Sequence, residues 1–504
     1  MIIKAPPRPD ERSLQMKKPA LSVAFALLLA LALTLGGPQT VALADTRPTA
    51  SPRDFDTLAP EGDLLPDAVK APSAILMDSR TGKALFEKAA DERRYPASTT
   101  KIMTCLLALE KGKLDDIVTV GKMPALEKGS TTIDLRQGET MKLEEMLYGL
   151  MLESGNDAAQ AIAIHLAGSL EDFADMMNQK AQELGMTSTH YINPHGLNHE
   201  EHYTTARDMA KLAIAARKYP EFVKIVGTYK HTVPATNKHE ERTWFNSNRL
   251  ISQKEGEIYA YRYATGIKTG YTSAAQSALV SSAQQGDLDL VAVVLKDTTL
   301  DKWTDSITMY EYGFNFFATL KLSTLMAGQT LTVDVPGASD TDPQQGKLVL
   351  ALTPETQVFL TDRKTRIETL SSDIAQFQQD VKLNEGFQAP VTKDAQVGTV
   401  TFSLDGQPVL TCKLTATRDV NAQAAPAPTD KGIAPKPTVS GNVVSSGQKP
   451  NVAGAWLLGL GILLAAMAVA LFVIRAWNLN RRSARMRQYN VRPGSKRAST
   501  RRRR

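Results

Sequence analysis

Apolar residues recur three and four positions apart in five stretches of the first half of the chain: Thr99 to Lys111, Leu143 to Leu150, Asp157 to Leu166, Leu170 to Leu184 and Ala206 to Ala216. That spacing gathers them on one face and predicts helices. On both sides of this block the pattern changes. Ser73 to Asp78, the turn Arg80-Thr81-Gly82 and Lys83 to Lys88 read as strand, turn, strand. Ser277 to Ala283 and Leu288 to Leu295, joined by Gln284-Gln285-Gly286-Asp287, read as a second hairpin. Asp301 to Phe317 is amphipathic and reads as a closing helix. A sheet split in sequence with helices between its parts predicts an α/β (α+β) domain over 71–318, whose sheet need not be parallel.

Beyond Leu320 strand patterns take over: Thr330 to Val335, Lys347 to Leu352, Gln357 to Leu360, Gly398 to Ser403 and Pro408 to Thr415. Asp405-Gly406 between the last two is a strong hairpin signal. These predict a small, separate all-β domain over 319–421. At 504 residues the chain is long enough for more than one core. Residues 422–451 are rich in Pro, Ala, Ser and Gly and read as a stalk.

The stalk leads into Val452 to Ile474, 23 residues without a charge. At about 1.5 Å per residue this makes about 35 Å of helix, enough to span a hydrocarbon core of about 30 Å. The net charge of +6 changes meaning here. Arg475 to Arg504 holds 12 Lys or Arg and no acid, so the remainder carries +6 − 12 = −6. The basic block is therefore a topology signal rather than a nucleic-acid surface. It places 475–504 in the cytoplasm and the chain before Val452 outside. The N-terminus agrees: Lys17 and Lys18, an apolar run from Ala20 to Leu35, then Ala42-Leu43-Ala44 read as a signal peptide over 1–44. Residues 45–70, rich in Pro and Asp, read as a flexible leader. Cys105 and Cys412 are too far apart to form a framework and are expected to be unpaired.

Three short motifs carry chemistry. Ser98-Thr99-Thr100-Lys101 opens a helical pattern, so the amine at i+3 shares a face with the hydroxyl at i. A serine needs a base to become a nucleophile, and a desolvated lysine crowded by cations is neutral enough to serve. Ser154-Gly155-Asn156 falls at a break between two helices and makes a tight polar corner. Lys268-Thr269-Gly270, followed by Tyr271 and Thr272, lies at the entry to a strand, where a cation and hydroxyls can line a sheet edge. Each alone is weak: a helix start, a cap and a strand end explain them as well. Together, separated by 154 − 98 = 56 and 268 − 154 = 114 residues, they are far from chance.

This order is that of β-lactamases and penicillin-binding proteins. The chain resembles the D-alanyl-D-alanine carboxypeptidase family (low-molecular-mass penicillin-binding proteins, peptidase family S11) from about Ala71 to Val420. The resemblance includes Tyr95-Pro96-Ala97-Ser98, Glu153-Ser154-Gly155-Asn156-Asp157, Asn193-Pro194-His195-Gly196-Leu197 and Gly266-Ile267-Lys268-Thr269-Gly270-Tyr271-Thr272. It implies a β-lactamase-like catalytic domain with an antiparallel sheet flanked by helices. Ser98 would attack the carbonyl of the penultimate D-Ala, with Lys101 as base. Ser154 and Asn156 would relay the proton and orient Lys101. Lys268, Thr269 and Thr272 would bind the terminal carboxylate beside Gly270, and the backbone N–H groups of Ser98 and Tyr271 would form the oxyanion hole. Peptidoglycan stem peptides would be substrates and β-lactams inhibitors, one C-terminal helix would meet the lipid bilayer, and neither metal nor cofactor would be required.

Two positions depart from the family's wording. Gln276 follows Ala275 where Gly is usual, and Lys302 stands where an Arg commonly helps bind the carboxylate. His195, His199 and His202 are spaced loosely like a metal site, but no Cys completes a set, and the first belongs to a family loop that holds no metal. His165 is expected to pack on a helix face. Among competing functions, a class A β-lactamase would carry Asp where Gly155 stands and a deacylating Glu. A D,D-endopeptidase of the same fold and a non-catalytic wall-binding scaffold remain as alternatives.

Overall fold

The computed structural model describes residues 62–423. The segment read as a signal peptide, most of the one read as a leader, all but the first two residues of the one read as a stalk, the apolar run 452–474 and the basic tail lie outside them. The described residues form two compact units, 62–319 with 361–367, and 320–360 with 368–423.

The first unit is built on a five-stranded antiparallel sheet. The strands that lie wholly within this unit are, in chain order, β1 (Ser73–Asp78), β2 (Ala84–Lys88), β3 (Ile117–Thr119), β4 (Thr140–Lys142), β5 (Lys230–Val233), β6 (Arg242–Phe245), β7 (Ala264–Thr272), β8 (Gln276–Gln285) and β9 (Leu288–Asp297). The main sheet runs β2-β1-β9-β8-β7, so the N-terminal hairpin pairs with the last strand; β3–β4 and β5–β6 are separate two-stranded ribbons. Seven helices accompany them: α1 (Lys101–Lys111), α2 (Leu143–Met151), α3 (Asn156–Ala167), α4 (Leu170–Glu183), α5 (Ala206–Ala216), α6 (Pro220–Gly227) and α7 (Asp301–Phe316).

Each central strand feeds two cores. On β1, Ile75 and Met77 face one way and Ala74 and Leu76 the other; on β9, Val291, Val293 and Leu295 oppose Leu290, Ala292 and Val294. The first face meets Leu106 and Leu107 of α1, Leu147 of α2, Ile162 of α3, Phe173 of α4 and Met209 of α5. The second is covered by Trp303, Met309 and Tyr310 of α7. A sheet covered on both sides has no solvent face to alternate with, which is why β9 runs apolar without a break from Leu290 to Leu295 and β8 buries Ser281 and Ser282 among its apolar residues.

The leader ends earlier than expected. Leu64 and Val69 are buried in the second core and Pro66–Ala68 forms a 3-10 turn, so the folded unit already includes residues taken for a linker. Ser169 and Thr205 cap α4 and α5 by accepting from the Asp172 and Asp208 N–H groups. His165 is on the exposed side of α3, 4.0 Å from Asp116, and does not pack as expected: it lies in the last turn, where the helix runs out over solvent.

The second unit holds an antiparallel sheet in the order Thr330–Asp334, Lys347–Pro354, Gln407–Ala416, Gln396–Leu404, Gln378–Leu383. Asp405 and Gly406 turn its last hairpin with φ of 52° and 76°, the left-handed pair such a two-residue turn requires. The unit is β-rich rather than all-β. The short helix Leu322–Met326 packs Leu322 and Met326 into its core, and five residues are too few to announce a helical period. Cys105 and Cys412 are both buried and free.

Candidate active site

Ser98 sits on a 3-10 turn, Ala97–Thr100, that runs into α1. Pro96 leads in, and Ala97 takes a φ of +49°, uncommon for a residue with a side chain. The turn is held from several sides. The Thr99 hydroxyl donates to the Pro96 carbonyl at 2.6 Å, and Thr104 Oγ1 donates to the Pro194 carbonyl at 2.6 Å. Thr100 Oγ1 lies 2.9 Å from His202 Nε2, while His202 Nδ1 accepts from the Ile192 N–H. That acceptance leaves Nε2 protonated, so the ring donates to Thr100. Gly196 presses on the same turn: a Cβ there would lie 1.8 Å from the Ala97 carbonyl oxygen.

Lys101 begins α1 and is wholly buried. Its Nζ has three partners: Ser98 Oγ at 3.0 Å, Asn156 Oδ1 at 2.6 Å and the His195 carbonyl at 2.8 Å. The last two can only accept, so they take two N–H bonds whatever the charge. In the neutral amine the third direction is a lone pair, and it points at the Ser98 hydroxyl. Burial drives Lys101 well below the usual amine range, and Lys268 pushes it further the same way. Asn156 reaches Lys101 because Ser154, at φ +65°, and Gly155 break the chain between α2 and α3.

β7 forms the opposite wall. Gly270 lies where the strand meets the Ser98 turn: a Cβ would lie 3.1 Å from the Pro96 carbonyl and 3.2 Å from Ser98 N. Between the walls is a cleft of about 500 Å³, lined by Ser98, Ser154, Asn156, Leu197, Ser247, Thr269–Ser273, Lys302 and the loop Glu127–Thr131. All three motifs therefore meet at one cavity. The family models match here and beyond: D-alanyl-D-alanine carboxypeptidase over residues 61–299, and the C-terminal domain of penicillin-binding protein 5 over 350–422. D-alanyl-D-alanine carboxypeptidase DacF of Bacillus subtilis is 34% identical over 361 residues, covering 70% of this chain and 86% of that one. DacA of Escherichia coli K12 is 32% identical over 354 residues, covering 68% and 81%. The solved structure of penicillin-binding protein 5 from Haemophilus influenzae aligns with a TM-score of 0.51 at 29% identity, over 70% of this chain and 98% of that one. The chain belongs to the D-alanyl-D-alanine carboxypeptidase family, peptidase family S11.

As a member of that family it is a serine-type hydrolase. The side of the cleft expected to take a carboxylate departs in detail from the expected arrangement. Lys268 is buried and donates to the Thr269 carbonyl at 3.1 Å, while Lys302 and, on the loop, Lys128 line the cleft wall. Burial, reinforced by Lys302, lowers Lys268 to about 7; Glu153 opposes this. Lys302 is itself lowered by burial, against the pull of Asp297, whose own carboxyl is raised to about 7 by burial and by Asp305. Thr269 Oγ1 lies 2.8 Å from Ser247 Oγ, and Thr272 donates to Asn198 Oδ1 at 2.8 Å, so both hydroxyls are engaged with neighbours.

His195, His199 and His202 do different work. Burial lowers His195 and His202 to about 3, so both are neutral; His199 Nδ1 accepts from the Glu201 N–H at the surface. Sequence reasoning missed Ser247, Asn198, the loop Glu127–Thr131 and the role of the His195 carbonyl. The first three carry no local signal. The fourth is a backbone atom, which no residue pattern specifies.

Proposed function

We propose that Ser98 opens the D-Ala–D-Ala bond of peptidoglycan stem peptides. Lys101 takes the Ser98 proton as Oγ bonds to the penultimate carbonyl carbon. The resulting oxyanion lies between the Ser98 and Tyr271 N–H groups. The C–N bond then breaks, and the terminal D-alanine leaves with the proton on its nitrogen, relayed through Ser154. Water adds to the ester, gives Lys101 a proton, and Ser98 recovers it as the shortened peptide departs. The observation that carries this reading is the triple contact at Lys101 Nζ, which makes a neutral amine aim its lone pair at Ser98.

Lys302 on the cleft wall, with Lys268 buried nearby, favours a peptide that ends in a free carboxylate over the interior of a cross-link. Penicillin would enter the same cleft and acylate Ser98. The apolar run Val452–Ile474 would tether the enzyme to the bacterial membrane by a single pass, with the catalytic unit outside and the basic tail within. Incubation with labelled penicillin followed by peptide mapping should put the label on Ser98 alone. A label on Ser154 would refute the assignment.

A further inference from the structure

A second cavity, of about 410 Å³, is lined by Arg93, Arg94, Tyr95, Glu200, Tyr203, Ala274, Ala275 and Lys296. Three segments of the Ser98 cleft run on into it. Gly270–Ser273 continues to Ala274 and Ala275, Gly196–Asn198 continues to Glu200, and Ser98 itself follows Arg93–Tyr95. Arg93 and Ser98 are five residues apart, so their Cα atoms are at most about 18 Å from each other. One further residue of an extended substrate and its long side chain reach about 12 Å from the attacked carbonyl, and the long Arg93 side chain can meet them within that bound.

The charges here are not all spent. Arg94 is committed: it donates to Ser73 Oγ at 3.0 Å and to the Arg93 carbonyl at 3.4 Å, and pairs with Glu92. The Arg93 guanidinium stacks 4.2 Å from the Tyr203 ring centre, which fixes its plane and leaves its N–H edge unused. Neither that edge, nor the Lys296 amine, nor the Glu200 carboxylate has a hydrogen bond or ion pair among the described residues. Two uncommitted cations and one carboxylate share a cavity with an aromatic floor. That is a mixed-charge lining, and its complement carries both signs.

We propose that this cavity is a subsite for the residue preceding D-Ala-D-Ala, and that it takes a side chain ending in a carboxylate and an ammonium on one carbon. The carboxylate meets Arg93 and Lys296, and the ammonium meets Glu200. The proposal rests on the carboxypeptidase reading of the Ser98 cleft.

The test compares three acetylated peptides X-D-Ala-D-Ala by D-alanine release. X is diaminopimelate (both charges), lysine (ammonium alone) or aminopimelate (carboxylate alone). The diaminopimelate peptide should exceed the lysine peptide by about tenfold in kcat/KM, the yield of one charge-assisted contact at a part-exposed site. The double variant Arg93→Gln/Lys296→Gln should bring that ratio close to one, and Glu200→Gln should raise aminopimelate to the level of diaminopimelate. Ratios within one preparation are independent of how much protein has folded. Equal rates on all three peptides with the native enzyme, a preference for aminopimelate, or a ratio untouched by the double variant would each overturn the subsite. Native enzyme that takes up no penicillin on Ser98 would overturn the reading of the cleft itself, and the subsite with it.

Discussion

Gly270→Ala tests whether the β7 wall and the nucleophile turn are built as one rigid contact. The new Cβ would lie 3.1 Å from the Pro96 carbonyl oxygen, 3.2 Å from the Ala97 Cβ and 3.2 Å from Ser98 N. An ordinary contact needs a few tenths of an ångström more. Neither side yields freely. The strand is registered on β8 with Gly270 opposite Ala278, and the turn is clamped by Gly196, His202 and the Pro194 carbonyl. Overpacking of this sort costs about 1–3 kcal/mol, which lowers Tm by several degrees in a unit of this size. Misplacing a reacting group by 1 Å costs about 100-fold, so a few tenths predicts roughly 3- to 10-fold slower acylation. Thermal melting and the second-order rate of fluorescent penicillin binding measure the two effects. Gly121→Ala, where no atom lies within 4 Å of the new Cβ, is the matched control. Native acylation and a native Tm in Gly270→Ala would show that the contact is slack and refute the argument.

Lys101→Ala should slow acylation by about 100- to 10,000-fold, the range for loss of a general base, and near-native acylation would exclude Lys101 from that role. The pH profile separates the lysines. Lys268 is lowered to about 7, so its charge is present below that pH and lost as pH rises through it. The kcat/KM for a carboxylate-ended peptide, which reports the free enzyme, should therefore fall on the alkaline side near pH 7. In Lys268→Arg the guanidinium keeps its charge and that limb should move up by about two units or more; an unmoved limb assigns it elsewhere. Deleting residues 452–504 should leave an enzyme that releases D-alanine from a soluble peptide and fractionates away from membranes. Retention in the membrane fraction would place the anchor in another segment.

Much of the fold was legible along the chain. Five of the six helices described in the first half of the chain and two of the three hairpins of the main sheet announced themselves because their buried faces repeat with the period of the element that carries them. Short elements did not. Ile117–Thr119 and Thr140–Lys142 are three residues each, too few for any period, and Pro220–Gly227 offers only two turns. The site divides in the same way. Residue types, their spacing and the proximity of Ser98 to Lys101 along one helix start are properties of the sequence itself, and with the family resemblance they single out Ser98 and Lys101 as the candidate nucleophile and base. The tertiary structure decided what those groups are chemically. It buries Lys101 among Asn156 and the His195 carbonyl, hides Lys268 and puts Lys302 on the wall instead. It also sets Gly270 against the Ser98 turn, where a side chain has no room. Desolvation and mutual repulsion depend on every atom within several ångströms of a charge, and those atoms come from segments as far apart as Lys101 and Lys268, whose meeting no local pattern records.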